Sequence, residues 1–300
     1  MRRTMAVLVA TAVAMLGLGA GSAQADLPVI WNGVYGYAHT SPTASPPGAN
    51  DWSCKPTAAH PRPVVLVHGT FADMSNSWQA ISPLLKNNGY CVFALNYGDY
   101  NGSGAVGVYG VDDIPTSAGE LSAFVDKVLA ATGAAEADLV GHSQGGMMPR
   151  YYLKHLGGAA EVHTLVGLSP SNHGTTLDGL FILSNFFPGA NQFTGALCPA
   201  CEQQRVDSAF ITNLNAGGET VPGVEYTVIQ TRFDQVVTPY TSAFLSGAKN
   251  VLLQNQCILD LGDHLSMPYD HIVGADVLTA LDPAHPRGFW CTPIAPVAGG

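Results

Sequence analysis

Short, continuous apolar runs recur along the chain, separated by longer stretches with helical spacing. The runs are Val64-Val65-Leu66-Val67 after Pro63, Tyr90 to Leu95, Ala137-Asp138-Leu139-Val140, Val162 to Leu168, Val224 to Thr231 and Val251 to Gln256. Runs of that length without polar alternation predict strands buried on both faces, as in a parallel sheet. Trp78 to Lys86, closed by Asn87-Asn88-Gly89, predicts a helix. In the next one, Leu121, Phe124, Val125, Val128 and Leu129 fall at i, i+3, i+4, i+7 and i+8; Ser117 and Glu120 fit a capping box in front, and Gly133 closes it. Gln144 to Leu156, ended by Gly157-Gly158, reads as a third helix. Val273, Val277, Leu278 and Leu281 give a last helix its buried stripe. Strands alternating with helices predict the α/β class, a doubly wound, mostly parallel sheet with helices on both faces.

Two stretches depart from this rhythm. Residues 26–62 are rich in Pro, Gly, Ser and Ala, with Pro46-Pro47-Gly48 as a breaker, and predict an irregular arm around the outside, pinned by Cys54. Residues 172–222 interrupt the alternation. Leu180-Phe181-Ile182-Leu183 and Phe186-Phe187 make them strongly apolar, and Pro188, Gly189, Cys198 and Cys201 punctuate them. The period fits both a buried helix with a disulfide loop and a cap whose apolar face lines a pocket. The remainder, residues 63–300, reads as one catalytic-size domain with this insertion.

Composition narrows the class. Met1-Arg2-Arg3, an apolar run from Met5 to Ala20 and Ala23-Gln24-Ala25 have the form of a secretory signal peptide, residues 1–25. No later stretch reaches the ~18 consecutive apolar residues of a membrane helix, so the expectation is a secreted, extracellular protein without an integral membrane segment. Losing Arg2 and Arg3 takes the net charge from -10 to -12. Such a balance argues against nucleic acid as a partner. Charged residues are 11% of the chain against about 25% in a typical domain, which leaves a weakly polar surface. Six cysteines (Cys54, Cys91, Cys198, Cys201, Cys257 and Cys291) predict three disulfides whose pairing is open on sequence alone. Cys198-Pro199-Ala200-Cys201 has redox spacing but lacks a thioredoxin-like setting, and reads as a small structural loop.

The candidate chemistry centres on Gly141-His142-Ser143-Gln144-Gly145, a G-x-S-x-G pentad between a predicted strand and a predicted helix. A serine on so tight a turn needs a strained backbone, and small flanking residues leave room for it. The turn sets the Gln144 N–H beside the hydroxyl, so a carbonyl placed there meets a nucleophile and an anion-stabilising donor. A serine needs a histidine to take its proton and a carboxylate to hold that histidine, in chain order Ser, acid, His. Asp234, just beyond the strand Val224 to Thr231, is the candidate acid; Asp207 lies in the insertion, and Asp260 and Asp263 fall too close to the histidines. His264, in the loop Cys257 to Met267, is the candidate base, with His271 as its rival at the start of the last helix. His155, His163, His173 and His285 are worse placed. In His68-Gly69-Thr70-Phe71, after the first core strand, Thr70 supplies a second oxyanion donor through its N–H, with its hydroxyl available for a third bond, while His68 reads as structural.

Together these residues resemble the secreted bacterial triacylglycerol lipases of the actinomycete type and, at greater distance, the fungal lipase B of Candida, both with the α/β-hydrolase fold. The resemblance runs from about Pro46 to Pro283. It rests on Pro47 to Cys54, Val64 to Phe71, Gly141 to Gly146, and Asn250 to Cys257 followed by Asp263-His264-Leu265. It implies Ser143 as nucleophile, Asp234 as acid, His264 as base, and Thr70 and Gln144 as the oxyanion hole. It further implies the pairs Cys54–Cys91 and Cys257–Cys291, leaving Cys198–Cys201. A lipid or other ester substrate, met where oil meets water, is the implied partner, with no metal or organic cofactor, for a monomeric enzyme. Residues 172–222 correspond little to the fungal lipase. A short-chain carboxylesterase, a cutinase-like polyester hydrolase, an acyltransferase and a non-catalytic binding protein share the scaffold.

Overall fold

Six apolar segments pair side by side in a single parallel sheet: β1 (Val64–Val67), β2 (Val92–Leu95), β3 (Ala137–His142), β4 (Val162–Leu168), β5 (Glu225–Gln230) and β6 (Lys249–Leu252). The computed structural model of the chain describes residues 25–38 and 41–300, so the segment read as a signal peptide lies outside the described residues apart from Ala25. Strand order is β2-β1-β3-β4-β5-β6, and every neighbouring pair is parallel. Alternate residues of β1 enter opposite cores. Val65 and Val67 pack with Leu121, Val125 and Val128 of the helix Ile114–Thr132 and with Tyr152 of the helix Pro149–His155. Val64 and Leu66 pack with Ile81 and Leu85 of the helix Ile81–Asn87 and with Val273 and Val277 of the helix His271–Leu281. Helices therefore cover both faces, and the strands in the middle have no polar side to show.

Several predicted boundaries move. The capping box at Ser117 and Glu120 is absent: the helix begins at Ile114, and the Asp113 side chain accepts the Thr116 N–H. Ser117 is buried inside it, and Glu120 instead accepts the N–H of Gly98. The stretch from Trp78 is not helical at its start; Met74–Ser77 is a turn of helix capped by Asp73, and the next helix opens at Ile81. Gln144 to Leu156 is divided into Gln144–Met147 and Pro149–His155, because Pro149 has no N–H to continue the ladder. The run Val251 to Gln256 spans two elements: β6 ends at Leu252 and Leu253–Gln256 is helical. The described residues of 26–62 are irregular apart from the helix Gly33–Tyr37.

The arm closes one edge of the sheet. The Asn50 N–H donates to Val92 O at 2.9 Å. Its carboxamide then takes the place of a strand backbone against Ala94, accepting the Ala94 N–H at 2.9 Å and donating to Ala94 O at 2.9 Å. Disulfides join Cys54 to Cys91, Cys198 to Cys201 and Cys257 to Cys291, the pairing that the resemblance implies. Among the described residues no helix is long and apolar enough to cross a membrane.

Candidate active site

Ser143 sits between the last residue of β3 and the helix Gln144–Met147, with φ 56° and ψ −124°, a conformation that side chains other than glycine rarely adopt. The surroundings hold it there. Its N–H donates to Leu168 O of β4 at 2.9 Å, and its carbonyl accepts the Gly146 N–H at 2.9 Å. A Cβ at Gly141 would lie 1.8 Å from Gly145 O, and one at Gly145 would lie 2.1 Å from Val67 O. The turn therefore closes only because both positions are glycine. A Cβ at Gly69 would stand 3.0 Å from Ser143 Cβ, which places the loop after β1 directly beside the serine.

Thr70 follows in that loop and is buried. Its Oγ1 lies 2.9 Å from Gln144 Nε2 and 2.9 Å from Gln204 Nε2, so the two sequence-predicted oxyanion residues are in direct contact. Among the described residues neither the Thr70 nor the Gln144 backbone N–H has an acceptor within the protein. Both donors are therefore unengaged by the protein.

On the other side, the loops after β5 and β6 bring Asp234 and His264 together. His264 Nδ1 lies 3.0 Å from Asp234 Oδ2, and both side chains are fully buried. Asp234 Oδ1 accepts the N–H groups of Val236 at 2.8 Å and Val237 at 2.7 Å, which fixes the carboxylate's plane. An ionised carboxylate only accepts, so Nδ1 of His264 carries the proton and Nε2 presents a lone pair. That Nε2 is buried and has no partner among the described residues.

His142 joins the two halves. Its Nε2 donates to His264 O at 2.9 Å, and its ring centroid lies 4.7 Å from that of His264. His264 is thereby packed against the residue next to Ser143. Burial, and then the neighbouring His264, keep the His142 ring neutral by holding its pKa well below the ordinary histidine range. His68 is also buried, its ring stacked on Tyr97 at 4.4 Å and its Nδ1 bonded to Gly69 O at 2.8 Å. Burial lowers its pKa to about 4.

The rival candidates do not reach this cluster. Asp207 is exposed in the insertion. Asp260 accepts the Gly262 N–H, and Asp263 is bonded to Ser266, Val297 and Gln235. His271 opens the last helix and binds Gly300 O and Trp290 O. His163 bonds Thr164, His173 pairs with Glu219, His285 pairs with Asp282, and His155 is exposed at a helix end. Sequence reasoning did not single out Gln204, Gln235, whose Oε1 accepts the His264 N–H at 3.2 Å, or the contact of His142 with His264. The Asp234-x-Val236 turn was the one readable local signal, since aspartate commonly accepts the N–H two residues on. Among the described residues no three His, Cys, Asp or Glu side chains converge as metal ligands.

The insertion is apolar on its buried and its exposed side alike. Leu180, Leu183 and Phe187 are buried, whereas Phe181 is 61% exposed and Phe186 41%. Phe71, Leu180, Phe181, Thr194, Gly195, Cys201 and Glu202 line a cavity of about 190 Å³ next to the Thr70 loop.

The fold has known counterparts. The structure is similar to Aspergillus fumigatus lipase B, with a TM-score of 0.61 at 20% identity over 81% of this chain and 56% of that one. It is also similar to mature Bacillus licheniformis lipase BlEst2, with a TM-score of 0.57 at 18% identity over 75% of this chain and 94% of that one. Among curated proteins, a triacylglycerol lipase of Pseudarthrobacter phenanthrenivorans is 40% identical over 100 residues, which is 31% of this chain and 28% of the relative. One of Burkholderia plantarii is 40% identical over 100 residues, 31% of this chain and 25% of the relative. Both matches thus span about a quarter of the relative's length. The family described as Lipase (class 2) matches residues 61–268, from just before β1 to beyond His264, and the chain belongs to that family.

Proposed function

We propose that the chain is an exported serine ester hydrolase that cleaves triacylglycerols through an acyl-enzyme. Ser143 Oγ attacks the ester carbonyl while His264 Nε2 takes its proton and returns it to the departing alcohol. Water then repeats the sequence on the acyl-serine. Asp234 holds the imidazole tautomer and stabilises the cation formed in each step. The Thr70 and Gln144 amides receive the negative charge on the carbonyl oxygen. The observation that carries this reading is the buried, unpartnered Nε2 of His264, whose other nitrogen rests on Asp234 and whose ring packs against the neighbour of Ser143. The cavity beside Phe71, with the exposed Phe181 at its margin, supports an apolar acyl group as the part of the substrate bound there. Three disulfides and no free cysteine among the described residues support export to an oxidising compartment.

The test is turnover of emulsified triolein and of graded p-nitrophenyl esters, together with labelling by a fluorophosphonate. The native protein should take up one label per chain and release fatty acid from triolein. Ser143→Ala should lose both while keeping its melting temperature. Hydrolysis retained by that variant would refute the mechanism, and attack on butyrate esters with none on triolein would reassign the substrate to soluble short-chain esters.

A further inference from the structure

A hydroxyl group has two lone pairs to accept with and one proton to give. At Thr70 the direction of each bond is set by its surroundings. Gln144 Nε2 also lies 2.8 Å from Gly110 O, and a carbonyl only accepts, so this end of the carboxamide is the amino group and donates to Thr70 Oγ1. Gln204 is fixed in the same way. Its Nε2 faces Ala200 O at 3.2 Å, and its Oε1 takes the Ser171 hydroxyl at 2.9 Å. Thr70 Oγ1 thus accepts twice, and its own proton has no acceptor in the cluster.

The two glutamines come from different parts of the chain. Gln144 belongs to the serine turn, but Gln204 follows the helix Pro199–Gln203 in the insertion, 134 positions from Thr70. The segment around Gln204 is tied down on several sides. Cys198–Cys201 staples it, Ala200 N donates to Val111 O at 3.2 Å, and Thr175 N donates to Gln204 O at 2.8 Å. Gln203 Oε1 accepts the Ile114 N–H at 2.7 Å.

We propose that Gln204 is a positioning residue: by occupying the second lone pair of Thr70 Oγ1 it turns the Thr70 proton toward the developing oxyanion, so that acyl transfer depends on the insertion being seated. The inference rests on the serine ester hydrolase reading. Without Gln204, one lone pair of Oγ1 is open and the hydroxyl is free to turn its proton elsewhere. The insertion then acts on the rate through one hydrogen bond, apart from any contact with substrate.

The experiment is a double-mutant cycle on a soluble p-nitrophenyl ester, with kcat and KM measured separately. Gln204→Ala should lower kcat on the order of tenfold and change KM less than about twofold. Gln204→Glu, the same size, replaces a donor by an acceptor that captures the Thr70 proton, and should lower kcat on the order of a hundredfold, as Thr70→Val does. In the Thr70→Val background neither change should cost more than about twofold. Equal losses in both backgrounds, or an effect confined to KM, would overturn the proposal. If Gln204→Ala melts early, the isosteric Gln204→Glu supplies the same cycle. Fluorophosphonate labelling of the native protein separates the two failures. No label would bring down the hydrolase reading and this inference with it, whereas a labelled enzyme indifferent to Gln204 would remove the inference alone.

Discussion

His68, in the loop after β1, and His142, next to Ser143, are buried, neutral rings, and their cost appears on acidification. His68 titrates at about 4 in the native protein, against about 6.5 for an exposed histidine in the unfolded chain. Below pH 6.5 the unfolded chain takes up a proton that the native state refuses, so stability is full above that pH and falls as the pH drops towards 4. The difference amounts to about 3 kcal/mol for His68 alone, and His142 adds to it in the same direction. Urea denaturation at steps between pH 7 and 4 should therefore show a steep loss, shallower by about one proton's worth in His68→Gln. An equal slope in the two proteins would mean that His68 is not the group responsible. The turn at Ser143 and the contact of Asp234 with His264 were legible in the sequence, because the G-x-S-x-G motif is local and the order in which its proposed partners follow is a rule of the fold. Gln204 was not. It forms no motif with Thr70, and only folding brings together side chains so far apart.

At the scale of elements, the β3–turn–helix unit is decided by backbone clearance. An alanine Cβ at Gly145 would press on Val67 O of β1, so Gly145→Ala should cost more than about 3 kcal/mol or prevent folding. Gly119 is exposed within the helix Ile114–Thr132, and a Cβ added there would meet nothing within 4 Å, so the same change should gain about 0.5–1 kcal/mol. Thermal or urea melts of the two variants check the pair, and similar effects at both sites would contradict the clearance argument. Clearance also explains what the sequence hid. Strands β1 to β5 were readable because they are buried almost throughout and rich in apolar residues. β6 was misplaced because it is the edge strand: Lys249 and Asn250 are exposed, and the run Val251-Leu252-Leu253 crosses from strand into helix without a break in apolarity. Ser117 and Glu120 have the spacing of a capping box, but Asp113 lies earlier and already supplies the cap, so the motif fell inside the helix.

Across the whole molecule, segments outside the sheet secure its edges and the loop that carries His264. Cys257–Cys291 ties the chain end to the loop after β6, and Val297 N donates to Asp263 Oδ1, next to His264. The arm does the corresponding work at the far side through Cys54–Cys91 and Asn50. With β2 at the end of the sheet, the Asn50 carboxamide fills the donor and acceptor that Ala94 would otherwise offer to a strand from another molecule. Asn50→Ala leaves those two groups vacant on a protein with few surface charges to keep copies apart. Concentrated samples of that variant should turn cloudy on standing where the parent stays clear, with light scattering rising faster than protein concentration; unchanged scattering would show that this plug is not what restrains sheet-to-sheet stacking in solution.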